Sequence, residues 1–268
     1  MAMRAHGAER SAGFARSTLA IAGRTVRKFF RTPQLVLVGT IQGAMFLLIF
    51  RYVFGGAIGV GGLPYVDFLV PGYVTTGVLF VAMGTATGVA EDLEQGLVDR
   101  LRSLPIPGAA VLAGRALADA GLLVWSLAVT IAIGFAVGFR THGPMIDALA
   151  AGGLLVVFGF AFEWAFITLG MVAGSPQAAQ GLALMVFPLT FVSSAYVPVG
   201  SMPGWLQVVA EHQPLTVMVD AVRALALGPA AAAVLDHGAA WYVGRSLAWA
   251  AGIVAVFAPL AVARFRRG

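Results

Sequence analysis

The chain has 268 residues, 59% of them hydrophobic and 11% charged, with no cysteine and a formal charge of +5. Soluble domains carry about 25% charged residues, so a chain this apolar could not cover its own core with polar surface, and composition places it in the membrane class. The absence of cysteine excludes disulfides and thiolate metal sites, and cations placed at the ends of apolar runs do not form a nucleic-acid-binding surface.

Residues 1–33 form a basic N-terminal segment with Arg4, Arg10, Arg16, Arg24, Arg27, Lys28 and Arg31. Within it, 14–31 interleaves Phe14, Ile21, Phe29 and Phe30 with cations. That pattern predicts an amphipathic helix on the inner membrane surface, its basic face on lipid headgroups. A basic tail that merely sets topology is the simpler alternative. Residues 34–268 form the membrane domain. Its first apolar run begins near Gln34 and no A-x-A-like cleavage site follows it, so it reads as a true span and not as a signal peptide.

Apolar runs of sufficient length predict six spans, at roughly 34–54, 68–90, 109–139, 146–173, 178–197 and 242–262. Pro71-Gly72 opens the second and Pro188 interrupts the fifth. Such breakers persist where neighbouring helices satisfy the freed backbone groups. The cations concentrate in the N-terminal segment, at Arg264, Arg266 and Arg267, and at Arg100, Arg102 and Arg115. The opposite loops offer Arg140, Arg223 and Arg245. Both termini and the 91–107 loop are therefore expected in the cytoplasm. The Ala-, Gly-, Val- and Arg-rich composition suits a GC-rich bacterial genome, hence a bacterial plasma membrane.

The 91–107 loop, EDLEQGLVDRLRSLPIP, is the densest run of charge. Leu93, Leu97, Leu101 and Leu104 recur at helical spacing. Asp92 and Glu94 are expected in the first turn and the arginines toward the end, matching the helix macrodipole. An amphipathic cytoplasmic helix of this kind docks into a groove on a soluble partner. The alternative, a helix lying on lipid, should be basic, whereas this one is net acidic. Residues 198–241 make the longest external segment. Patches at 203–211, stopped by Pro214, and 215–227, stopped by Gly228-Pro229, are too short to span. They are expected to be re-entrant or interfacial helices, with Trp205 as an anchor.

Catalytic chemistry is not evident. A Walker A loop requires G-K-[ST], and the one lysine, Lys28, lies between Arg27 and Phe29. The chain therefore has no means of its own to cradle ATP phosphates. His6, His142, His212 and His237 are scattered over tail and loops and read as solvated residues, not metal ligands. Inside the spans, Glu163 stands out, with Arg51 near the outer end of the first. An intramembrane acid is either functional or paired for structural reasons, and both readings stand for Glu163. Four G-x-x-x-G pairs (Gly39/Gly43, Gly84/Gly88, Gly134/Gly138, Gly170/Gly174) are compatible with packing, but a chain with 34 glycines produces such pairs by chance.

Three stretches resemble the permease subunits of type-2 ABC exporters, in the branch that includes daunorubicin-resistance permeases. The first is Phe68-Leu69-Val70-Pro71-Gly72. The second runs from Glu91 to Pro105, an acidic segment followed by Gly-Leu-x-Asp-Arg-Leu-Arg-Ser-Leu-Pro. The third links Phe187-Pro188, Val197-Pro198, Met202-Pro203-Gly204-Trp205-Leu206, Pro214-Leu215, Arg223-Ala224-Leu225 and Gly228. Glu163 departs from the family, which has an apolar or small polar residue there.

The resemblance implies an all-α polytopic membrane protein with six transmembrane helices and a cytoplasmic coupling helix near 91–107. It also implies a second permease subunit, identical or not, and separate ATPase subunits that hold ATP and Mg. The ATPase contact would comprise Glu94, Gly96, Asp99, Arg100, Arg102 and Pro105, with Glu91 and Asp92 beside them. Phe187, Pro188, Phe191, Ser193, Ser194 and Tyr196 would sit near the upper pore, and Glu163 is assigned with them to the translocation path. The external re-entrant helices at 201–228, through Pro203, Trp205, Pro214 and Arg223, would close the pore outward. The expected function is export of an amphipathic drug, antibiotic or lipid by a transport subunit with no ATPase site of its own. The alternative is a stand-alone secondary transporter or an integral-membrane enzyme acting on lipid. The former should show more intramembrane acids, and the latter converging His, Asp or Ser.

Overall fold

The computed structural model describes Gly23 and residues 33–97 and 108–267, with side chains for 41–97 and 112–265. All regular structure among the described residues is helical. Apart from Gly23, the interfacial helix expected at 14–31 lies outside the described residues, as does the loop from 98 to 107.

Helix α1, Pro33–Ile49, widens into a π-helical turn at Phe50–Phe54. Three long helices follow: α2 at Tyr65–Glu94, α3 at Gly108–Ala136 and α4 at Met145–Val172. Short ones come next: α5 at Pro176–Leu184, α6 at Phe187–Phe191 and α7 at Gly204–His212. Then α8 spans Pro214–Leu227, with a 3-10 extension at Gly228–Ala233, and α9 spans Ala239–Arg267. At 1.5 Å per residue, 30 residues of α2 reach about 45 Å, more than the roughly 30 Å hydrocarbon layer.

Five described helices are long and apolar enough to cross a membrane: Tyr65–Glu94, Leu112–Ala136, Met145–Val172, Pro214–Ala233 and Ala239–Phe265. The chain is a multi-pass helical membrane protein. This set differs from the expected one in three places. The first expected span, 34–54, is represented among the described side chains by a shorter apolar helix, Ile41–Phe54. Residues 178–197 do not form one continuous helix, because the helix breaks between α5 and α6. Pro188 has no N–H to give and its ring collides with the carbonyl one turn back, so the chain restarts at Phe187 with Pro188 in the first turn. Conversely, 215–227 was expected as a re-entrant or interfacial patch too short to span; with the 3-10 extension the helix runs Pro214–Ala233, long and apolar enough to cross, and residues Leu215 to Ala224 are all buried. Its two charges, Asp220 and Arg223, are one turn apart and neutralise each other at 2.7 Å.

The expected start of the coupling helix also moves. Glu91, Asp92 and Glu94 form the last turn of α2, which runs on without a break. The helix stops at Gly96, whose φ of +67° lies in the left-handed region that glycine enters without penalty.

The two ends of the bundle differ. At one end the start of α2 meets the loop after α3: the Arg140 amide donates to Asp67 at 3.1 Å, and the His142 amide donates to the Ala226 carbonyl at 3.0 Å. At the other end a small apolar cluster of Val89, Leu112, Ala116, Trp164, Ile167, Met171, Ala261 and Phe265 joins α2, α3, α4 and α9. Between them, α4 lies tight on its neighbours. A Cβ at Gly159 would collide with Leu123 of α3, and one at Gly170 with the Ala86 carbonyl of α2. The G-x-x-x-G pairs do not act as units: Gly88, Gly134 and Gly170 sit at close approaches, whereas Gly84, Gly138 and Gly174 face open space.

Candidate functional site

Two polar centres are buried in the bundle. The first lies where α2 and α3 approach the 91–107 loop. Arg115, in the second turn of α3, reaches across α2. Its Nη1 donates to Asp92 at 2.6 Å and its Nε donates to Asp119, one turn along its own helix, at 2.8 Å. Thr85 of α2 donates to the same Asp119 oxygen at 3.0 Å. Nη2 rests against Gly88, where a Cβ would leave it no room. Asp119 and Thr85 are buried, and Arg115 and Asp92 are partly so. Sequence reading counted Arg115 as a loop cation and overlooked Asp119. The i,i+4 spacing of the two was the available signal.

Glu163 of α4 belongs to this centre. It is 1% exposed. Its charged neighbours are Asp119 and Arg115, and neither carboxyl oxygen has a hydrogen-bond partner among the described residues. It was assigned to the translocation path together with residues 187–196. The Ser194 end of that segment packs near Phe68 on α2, while Phe187 meets Phe80, five residues and about 8 Å along that helix from Thr85, which bonds Glu163's neighbour Asp119.

The second centre is built on Arg223, which is 1% exposed. Nη1 donates to Asp220 at 2.7 Å, and Nη2 donates to the carbonyls of Phe68 at 3.0 Å and Ser194 at 2.8 Å. The guanidinium lies 3.8 Å over the Phe68 ring. The Ser194 hydroxyl donates to Asp220 at 2.7 Å. This cation, assigned to an external gate with Pro203, Trp205 and Pro214, forms a clasp joining α8, α2 and the turn after α6. Pro203 and Trp205 are exposed, Trp205 at 73%, and half-buried Pro214 starts α8. Ser194→Ala should lower stability by about 1–2 kcal/mol by leaving Asp220 one donor short, readable as a fall in the thermal midpoint of detergent-purified protein.

Beside this clasp the turn after α6 is held by hydroxyls. Tyr65 donates to the Tyr196 carbonyl at 2.9 Å, Tyr196 and Thr76 share a hydrogen bond at 3.0 Å, and Ser193 donates to the Thr190 carbonyl at 2.6 Å. Gln213 donates to the Val192 carbonyl. Ser193, Ser194 and Tyr196 are thus buried, while Phe187, Pro188 and Phe191 are exposed. An aromatic row runs from Phe50 (4.7 Å from Tyr196) through Tyr196 and Phe191 (5.4 Å) to Phe187 (5.2 Å) and Phe80 (5.7 Å). Of the loop residues assigned to ATPase contact, Glu91 and Asp92 are half-buried, Glu94 and Gly96 are exposed, and Asp99, Arg100, Arg102 and Pro105 lie outside the described residues. Among the described residues no cluster of His, Asp or Glu is placed to hold a metal ion.

The fold is a polytopic helical bundle, and the ABC-2 type transporter profile matches residues 16–227 of it. The chain belongs to the ABC-2 type transporter family, as the permease component of an ABC exporter. It is 35% identical over 253 residues to the daunorubicin resistance ABC transporter permease protein DrrB1 of Streptomyces coeruleorubidus, covering 93% of this chain and 86% of that protein. It is 28% identical over 255 residues to the probable doxorubicin resistance ABC transporter permease protein DrrC of Mycobacterium tuberculosis, covering 93% and 88%. The probable multidrug ABC transporter permease YbhR of Escherichia coli K12 is 26% identical over 62% of this chain and 45% of that protein.

Proposed function

We propose that this chain is the membrane half of an ATP-driven exporter in a bacterial plasma membrane, moving an amphipathic drug, antibiotic or lipid outward. The observation that carries the reading is the near full-length match to permeases named for drug resistance, in a chain whose sequence lacks a Walker A lysine. Energy then enters from separate ATPase subunits, which bind ATP and Mg. Their contact is the 91–107 loop, and both termini share its cytoplasmic side. The working unit pairs two permease subunits around the path. Phe187 and Phe191 offer ring faces to an apolar solute.

The test is affinity recovery of the tagged chain from native membranes. The ATPase subunit should co-purify in near-stoichiometric amount, and a variant with Asp99→Ala and Arg100→Ala should lose it while remaining folded. Recovery of the permease without any ATPase, or full retention by the double variant, overturns the reading.

A further inference from the structure

We propose that Arg115 is a two-position switch that exchanges Asp92 for the buried carboxyl of Glu163, turning a pull on the 91–107 loop into a re-seating of α4 against α2 and α3. The inference rests on the export reading above and adds the residues that carry the movement inward.

Four observations lead to it. Asp92 lies in the last turn of α2, four residues before left-handed Gly96, so force on the loop reaches the Arg115–Asp92 bond first. Arg115 is anchored by two points of different kind. Nε holds Asp119 on its own helix, a contact that travels with α3, while Nη1 holds Asp92 across the helix gap, a contact that does not. Gly88 lets Nη2 lie directly on the α2 backbone, in the place a Cβ would occupy. Finally, Glu163 is an acceptor in waiting: buried, without a hydrogen-bond partner, and with Arg115 and Asp119 as its charged neighbours. Buried polar groups are otherwise almost always paired, and an orphan asks for a reason.

The position of Glu163 on α4 gives the switch something to move. Residues 159, 163 and 170 recur at helical spacing and share one face. Gly159 and Gly170 are the points where α4 is pressed onto α3 and α2. Glu163 therefore sits in the middle of the tightest helix contact, where an arriving cation must change the seating. In the present state four acidic side chains, Asp92, Asp119, Glu91 and Glu163, surround one guanidinium, and Asp92 and Asp119 hold it. If a partner docked on the loop draws Asp92 away, the vacated donor turns to Glu163. Arg115 and Glu163 are then positioning residues for transport, and the two states differ by one ion pair. That difference is what a docked partner needs in order to bias the equilibrium.

The experiment uses the permease co-purified with its ATPase, either nucleotide-free or trapped with ATP on a hydrolysis-deficient ATPase subunit. Thermal midpoints are measured for wild type, Glu163→Gln, Asp92→Asn, Arg115→Lys and the Arg115→Lys/Glu163→Gln pair. The switch requires that Asp92→Asn destabilise chiefly the nucleotide-free complex. Glu163→Gln must destabilise chiefly the trapped complex, and coupling between Arg115 and Glu163 must appear only there. Export per ATP hydrolysed should fall about tenfold in Glu163→Gln, within the usual range for an allosteric coupling. Should Glu163→Gln assemble poorly, Glu163→Met serves for the same comparison. A Glu163 substitution that acts equally on both states, with transport per ATP unchanged, overturns the switch alone. A wild-type chain that recovers no ATPase overturns the export reading and the switch with it.

Discussion

Replacing Arg223 by methionine is expected to be among the most damaging single changes in the molecule, costing about 3–5 kcal/mol, because it leaves Asp220 a buried charge without its cation. The same change strips donors from the carbonyls of Phe68 and Ser194 and removes a cation from the Phe68 ring. Lysine should rescue little. A point charge with three donors cannot lie flat on an aromatic ring while reaching a carboxylate and two carbonyls on separate elements. The revealing variant is the pair Arg223→Met with Asp220→Leu. Removing both charges of a buried pair is often neutral, so the pair should recover much of the lost stability. The remaining deficit belongs to the two orphaned carbonyls and the Ser194 hydroxyl. Thermal unfolding followed by size-exclusion in detergent reads all of these. If Arg223→Met melts within a degree or two of wild type, the clasp does not hold α8 in place.

The clasp also shows where sequence reading reached its limit. Hydropathy identified the membrane class and the long helices α2, α3, α4 and α9, because runs of this length have few other uses. It was less informative where a proline or glycine bounded a run. Pro214 and Gly228-Pro229 made 215–227 read as a short re-entrant or interfacial patch, whereas the helix continues through a 3-10 extension to Ala233 and its Asp220 and Arg223 cancel inside the bundle at i,i+3 spacing. Pro188 was visible as an interruption of 178–197, but the place of the break, between α5 and α6, was not. Arg115 was counted with the loop cations, when Asp119 at i+4 and Asp92 across the loop make it an interior group. Glu163 was conspicuous in the sequence, but its environment was not. Which helix faces it depends on where Gly159 and Gly170 let α4 approach, and that is a property of the assembled bundle. The resemblance motifs fared better. Phe68, Pro71-Gly72, Ser194 and Arg223 lie far apart in sequence, yet Arg223 bonds both Phe68 and Ser194, and Gly72 abuts the residue after Ser194.

That abutment carries the last prediction. A Cβ at Gly72 would run into the Ala195 backbone, carbonyl oxygen included, and backbone cannot rotate away as a side chain can. Gly72→Ala must therefore push the turn after α6 off α2. The displaced turn carries Ser194 of the clasp, and Tyr196 with its bonds to Tyr65 and Thr76, so one methyl group disturbs both networks. Overpacking of this kind costs about 1–3 kcal/mol, and more where backbone is the obstacle. The control is Gly77→Ala, five residues along the same helix, where a Cβ meets nothing within 4 Å. There alanine should be neutral or stabilising by up to about 1 kcal/mol through helix propensity. Gly72→Ala should lower the thermal midpoint and abolish substrate export, because Phe187 and Phe191 are carried on the displaced segment. Gly77→Ala should leave both intact. Equal behaviour of the two variants would mean that the turn is free to retreat from α2, and that its contact with Gly72 does not fix the aromatic row.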